Sequence, residues 1–130
     1  MQDGENMGTI ETEKDFDTGL TTNVAKGKFD YEEFLKWIAN YYSGNVTELI
    51  LWDLSEADLS KITSREFRKI VEKVKKQSHK RAGGKTAFVF TKDLGFGLGR
   101  MFGTLAEVEE VQFEYRTFRS ISKAKEWLGV

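Results

Sequence analysis

The chain has 130 residues, a formal net charge of −1, and neither cysteine nor proline. A chain of this length builds one domain and buries a core without a disulfide or metal staple, and the absence of thiols excludes disulfides, thiolate nucleophiles and cysteine-based zinc sites. Near-neutral charge offers no bulk attraction to nucleic acid or an anionic bilayer, and no apolar run approaches the roughly 20 residues that span a membrane.

Residues 1–7 read as a disordered N-terminal extension, polar and acidic, unlike a secretory signal. Residues 8–130 read as one domain, expected in the cytoplasm. The charge is uneven. Asp3, Glu5, Glu11, Glu13, Asp15 and Asp17 face only Lys14 within residues 1–17. Residues 65–85 carry nine bases against Glu66 and Glu72. Such a block reads as a solvated helix face plus a loop, or as a patch for phosphate or an acidic partner.

Gly8–Lys14 and Gly19–Ala25 alternate weakly around a turn at Asp15–Thr18, which predicts an antiparallel hairpin. Asp30–Tyr42 predicts a helix, because Tyr31, Phe34, Leu35, Ile38, Tyr41 and Tyr42 recur at helical spacing. Asp30 with Glu33 fits a capping box, Phe29 with Phe34 a hydrophobic staple, and Gly44 a stop. Leu49–Trp52 is a continuous apolar run, as in a central strand covered on both faces. Thr63 with Glu66 opens a second helix reaching about Lys80, with Phe67, Ile70, Val71 and Val74 as its buried stripe. His79–Gly84 reads as a basic loop. Thr86–Thr91 reads as a buried strand, Leu94–Val108 as a helix, Gln112–Phe118 as a strand and Ser120–Leu128 as a terminal helix. The order β-β-α-β-α-β-α-β-α predicts an α/β domain: a mostly parallel sheet, an N-terminal antiparallel hairpin at its edge, and about four helices.

Four stretches together resemble the SpoIIAA-like (STAS-type, STAS-SEC14-like) family of bacterial domains. They are Leu51–Ser60 (LWDLSEADLS), Lys80-Arg81 followed by Gly84–Val89, Gly97–Phe102 (GLGRMF), and the ending Phe118–Ser120 with Lys123–Leu128. The likeness spans about residues 20–130. It implies the fold shared with the STAS domains of anti-sigma-factor antagonists and anion transporters, and a structural likeness to lipid-binding Sec14-type domains. It implies no reaction. In the antagonists a serine at the start of the second helix is phosphorylated, and by position Thr63 and Ser64 stand there. Arg65 and Glu66 occupy the places of small residues in the antagonists.

Two stretches carry the candidate chemistry. Asp53–Ser64 leaves the carboxyl end of a predicted central strand and enters a helix, where open α/β sheets bind ligands. Asp53, Ser55, Asp58 and Ser60 are its candidate ligand- or partner-binding residues. Asp93–Gly103 contains Gly95, Gly97, Gly99 and Gly103. Each costs a helix interior about 0.8–1 kcal/mol relative to Ala. A loop at Gly95–Gly97, close packing on a neighbour, or a ligand approaching the backbone would each account for them. Phe96, Gly97, Gly99 and Arg100 are the candidate binding residues there.

Enzymatic signatures are sparse. Gly84-Lys85-Thr86 is not a phosphate loop, since His79 stands where the first glycine is required and a strand follows. His79 is the sole histidine and has no companion for a metal site. No catalytic residue, metal or cofactor is expected. The expected role is a non-catalytic regulatory or binding module for a protein partner or a small anionic or lipidic ligand, without nucleic acid or membrane insertion. The alternatives are a small enzyme with its site at the same sheet edge, and a homo-oligomeric structural protein that uses Trp37 and Tyr42 as exposed aromatics.

Overall fold

The computed structural model describes residues 8–130, so the reading of residues 1–7 lies outside the described residues. The elements are β1 (Thr9–Asp15), β2 (Leu20–Lys28), α1 (Tyr31–Ser43), β3 (Leu49–Asp58), α2 (Ser64–Gln77), a 3₁₀ turn (Ser78–Arg81), β4 (Lys85–Val89), α3 (Asp93–Val108), β5 (Glu114–Phe118) and α4 (Ile121–Leu128). Class and element order match the expectation. The five strands lie in chain order across one sheet. β1 runs antiparallel to β2, and all other neighbours are parallel.

That strand order distributes the helices. The sheet grows one strand at a time in one direction, so crossovers of one hand set α1, α2 and α3 on the same face. Ile50, Trp52 and Leu54 of β3 turn to that face and join Ile38, Phe67, Ile70, Val74 and Phe102 in the main core. The intervening Leu51 turns to the opposite face, where Ala124 and Leu128 of α4 close a smaller core with Ala87 and Val89. β3 is thus covered on both sides, as its unbroken apolar run requires.

Local sequence sets the helix starts. The Asp30 carboxylate accepts from the Glu33 amide at 3.0 Å, and Glu33 accepts from the Asp30 amide at 3.0 Å. Thr63 and Glu66 repeat this box at α2, at 3.1 and 3.0 Å. The rings of Phe29 and Phe34 lie 5.2 Å apart, which staples the entry to α1.

Four expectations change. β3 continues to Asp58, so the stretch Asp53–Ser64 is mostly strand, and only residues 59–63 connect it to α2. The expected basic loop at His79–Gly84 begins as a 3₁₀ turn, and Arg81 is 2% exposed. α3 is helical from Asp93, so no loop separates Gly95 from Leu98. Close packing accounts for two of its glycines, because a Cβ on Gly95 or Gly99 would stand 2.5 or 2.8 Å from the Phe90 ring. Tyr42 is buried, and Trp37 is partly buried with its ring stacked on Tyr41 at 4.9 Å, so neither is an exposed aromatic. The polar periphery of these rings misleads a sequence reading, since Tyr and Trp bury their bodies wherever their polar tips find room.

Candidate functional site

The carboxyl ends of β3 and β4 and the first turns of α3 enclose a cleft of about 360 Å³. Leu54, Leu59, Phe90 and Leu98 form its apolar floor. Ser55, Asp58, Ser60 and Lys92 supply the polar rim, and Leu94 stands there 69% exposed. β3 reaches this edge because its pairing with β2 shifts register between Val24 and Lys26. Asp53 supports the irregularity: its Oδ1 accepts from the Ser55 amide at 3.1 Å and the Ser55 hydroxyl at 2.7 Å. Lys26 and Glu56 bridge the two strands at 3.6 Å, both exposed. Such a pair contributes little to stability.

At the tip, Asp58 Oδ1 accepts from the Ser60 amide at 2.9 Å. The Ser60 side chain and then its amide hold the Asp58 carboxyl below its ordinary value. Asp58 is therefore an anion whose oxygens serve its own turn, which suits a recognition rim better than a general base.

The structure brings Ser55, Asp58 and Ser60 together on the cleft. Asp53 lies two residues earlier on β3, off the cleft, and hydrogen-bonds Ser55. Gly99 is buried against Phe90 and Thr117, behind the cleft. Gly97 is open, with nothing within 4 Å of its would-be Cβ. Arg100 is exposed on α3 and does not line the cleft. Phe96 turns toward β5, where the Arg119 guanidinium lies 4.2 Å over its ring. Arg119 also pairs with Asp93 at 2.8 Å. Thr63 and Ser64 are exposed at the start of α2, off the cleft. The Thr63 hydroxyl is occupied, accepting from the Glu66 amide and donating to Glu66 Oε1 at 3.2 Å.

A second space lies deeper. Between the sheet and α1–α3 is an apolar cavity of about 70 Å³. Leu54, Leu59, Phe90 and Leu98 line it as well as the cleft, so the two adjoin. Its far end carries Tyr42, Arg81, Thr86 and Tyr115. Burial pushes the Tyr115 phenol well above its ordinary value, Tyr42 adds to that, and Arg81 opposes it. Burial likewise raises Tyr42, against the charge of Arg81. The sequence gives no signal for this group, because one buried arginine among nine bases looks like its neighbours, and aromatics at helical spacing read as plain core.

Among the described residues, no group of three His, Asp or Glu side chains converges as a metal site. No helix there is long and apolar enough to cross a membrane.

No family model matches the chain, and no curated protein does. Solved structures do match. An uncharacterized protein of the DUF3478 family with a SpoIIAA-like fold, from Shewanella loihica PV-4, is 18% identical over 93% of each chain, with a TM-score of 0.58. An anti-sigma factor antagonist from Mycobacterium paratuberculosis is 13% identical over 96% of this chain and 97% of its own, with a TM-score of 0.54. The chain has the SpoIIAA-like fold.

Proposed function

We propose that this SpoIIAA-like domain is a non-catalytic regulatory module, acting in the cytoplasm, that docks a partner protein across the β3–α3 edge. The observation that carries the reading is the cleft itself: an apolar floor, an exposed Leu94 and a rim of opposite charges at Asp58 and Lys92. An exposed large apolar side chain beside a concave floor marks a contact surface, and the rim charges supply orientation more than affinity. The fold likeness to an anti-sigma factor antagonist supports a regulatory role. The commitment of Asp58 and Thr63 to local hydrogen bonds favours binding over proton transfer. Within this reading Ser64 is the residue a kinase would modify, since the Thr63 hydroxyl is held by its capping box.

The test is affinity capture from the native cell with the unaltered chain and with a Leu94→Asp, Lys92→Glu double variant. One partner is expected to be recovered by the first and lost with the second, both folding alike by circular dichroism. Recovery of the same proteins by both would place the docking surface elsewhere. A Ser64→Ala variant that recovers the partner to the same extent, with and without prior phosphatase treatment, would remove the phosphoregulatory part.

A further inference from the structure

Arg81 is a buried cation with no anion beside it among the described residues. Its Nε donates to the Thr47 carbonyl at 2.8 Å, Nη1 to the Thr86 hydroxyl at 2.9 Å, and Nη2 to the Glu48 and Lys85 carbonyls at 2.9 and 3.0 Å. Its plane rests 4.3 Å from the Phe113 ring. Every partner is neutral. The ion pairs among the described residues are Lys26–Glu56 and Arg119–Asp93, and no acidic side chain lines the cavity that Arg81 borders. A guanidinium carries five N–H donors. The four bonds leave one N–H, and Arg81 is also hydrogen-bonded to the Tyr42 hydroxyl. Neither the Tyr42 nor the Tyr115 hydroxyl finds a carbonyl or carboxylate acceptor among the described residues.

Burying a cation without a counter-charge is costly, and an anion delivered to it recovers much of that cost. The rest of the cavity is aromatic and aliphatic, with Trp37, Trp52, Phe67, Phe88 and Phe102 among its walls. From Thr86 at the polar end to Phe90 at the floor of the cleft is four residues along one strand, roughly 13 Å. Its volume exceeds several-fold the roughly 10–15 Å³ that a single water needs. The space is thus charged at one end, apolar along its length and adjacent to an open cleft at the other.

We propose that this cavity is a binding site for a small monocarboxylate with a slim apolar body, its head group on Arg81, Tyr42 and Tyr115 and its tail directed past Phe90 into the cleft. One negative charge matches one guanidinium. The two phenols supply one donor for each carboxylate oxygen, and Arg81, hydrogen-bonded to Tyr42, supplies the matching charge, whereas a phosphate monoester would bring a second charge and a third oxygen with no partner. The tyrosines remain protonated, as donors, because burial raises both. The proposal does not rest on the partner reading: the ligand site is internal, and the docking variants Leu94→Asp and Lys92→Glu leave its polar end intact.

The test uses the whole chain with hexanoate, octanoate and benzoate as probes and 1-octanol as the uncharged control. Octanoate is expected to raise the unfolding midpoint in proportion to the logarithm of its concentration, with 1-octanol at least tenfold weaker. The double variant Tyr42→Phe, Tyr115→Phe keeps the packing and removes two donors to a charged group, so octanoate affinity should fall at least tenfold. Leu98→Trp fills the passage between cavity and cleft and should abolish binding in a chain that still unfolds cooperatively. Arg81→Met serves only as a supporting variant, since Arg81 also ties strands together. No midpoint shift with any carboxylate, equal shifts with octanoate and 1-octanol, or undiminished binding by Leu98→Trp would each overturn the inference. Capture of the same proteins by the unaltered chain and by the Leu94→Asp, Lys92→Glu variant, with octanoate binding retained, would sink the docking surface and leave this site standing.

Discussion

The backbone of Gly99 lies against the ring of Phe90, so close that a Cβ there would sit 2.8 Å from Phe90 Cε2 and 2.8 Å from Thr117 Cγ2. The turn of α3 from Gly95 to Gly99 is thereby pressed onto Phe90 and the end of β5. Gly97, two residues earlier, meets nothing within 4 Å. The same substitution should therefore act in opposite directions at the two positions. Gly99→Ala forces a methyl into a filled site and should destabilise by about 1–3 kcal/mol. Gly97→Ala meets no neighbour and should stabilise by up to about 1 kcal/mol through helix propensity. Urea unfolding of the two variants checks both signs.

Arg81 ties the start of β3 to the start of β4 through three carbonyls and one hydroxyl. Arg81→Lys keeps the charge but not the planar fork, and an ammonium cannot reach all four acceptors at once. The expected loss is about 3 kcal/mol, from buried carbonyls left without donors. A stability within about 0.5 kcal/mol of the parent chain would show that the clamp is dispensable.

The two capping boxes make a matched pair. Asp30→Ala and Thr63→Ala should each cost about 1 kcal/mol, and Thr63→Asp much less, because aspartate caps as well as threonine. Guanidinium titrations measure all three. If Thr63→Ala is neutral, the Thr63 hydroxyl is free for other uses, contrary to its bonds with Glu66.

Alkaline pH reports on the cavity. The folded chain holds the Tyr42 and Tyr115 protons above the ordinary value, chiefly through burial. Stability from these groups is fully present below about pH 10, where the unfolded chain still keeps its phenol protons. It is lost as pH rises through the raised folded values, since the unfolded state then releases protons more readily. Denaturant midpoints should fall across that range, with late tyrosinate absorbance from these two residues. Tyr115→Phe should flatten the fall; an unchanged slope would contradict the assignment.

Asp58 works in the opposite direction at the acid end. Its folded value is depressed, first by the Ser60 side chain and then by the Ser60 amide. Its contribution is therefore present above its ordinary value and lost as pH falls through the depressed one. Asp58→Asn should shorten the acid limb of the stability profile, and the effect should be small because the group is exposed to solvent.

The legible parts of this chain were those written in neighbouring residues. Asp30 with Glu33, Thr63 with Glu66, and Phe29 with Phe34 act within one turn, so spacing alone places two helix starts. The apolar run at Leu49–Trp52 names a strand covered on both faces. Ser55, Asp58 and Ser60 share one edge because they lie at the carboxyl end of β3 and just beyond it. The end of β3 was misplaced, since Asp53–Asp58 is polar and only its pairing with β2, across a register shift, keeps it extended.

Arg81 belongs to the other category. In sequence it is one of nine bases in a stretch that reads as solvent-facing. Its burial depends on carbonyls of Thr47 and Glu48, more than thirty residues away, and on the ring of Phe113. Tyr42 and Tyr115 meet it only because α1 and β5 close over the same face. Local chemistry determined the elements and their order, because capping, periodicity and apolar runs act over a few residues. Tertiary packing alone decided which polar groups lost their water, because desolvation depends on every element that closes around them.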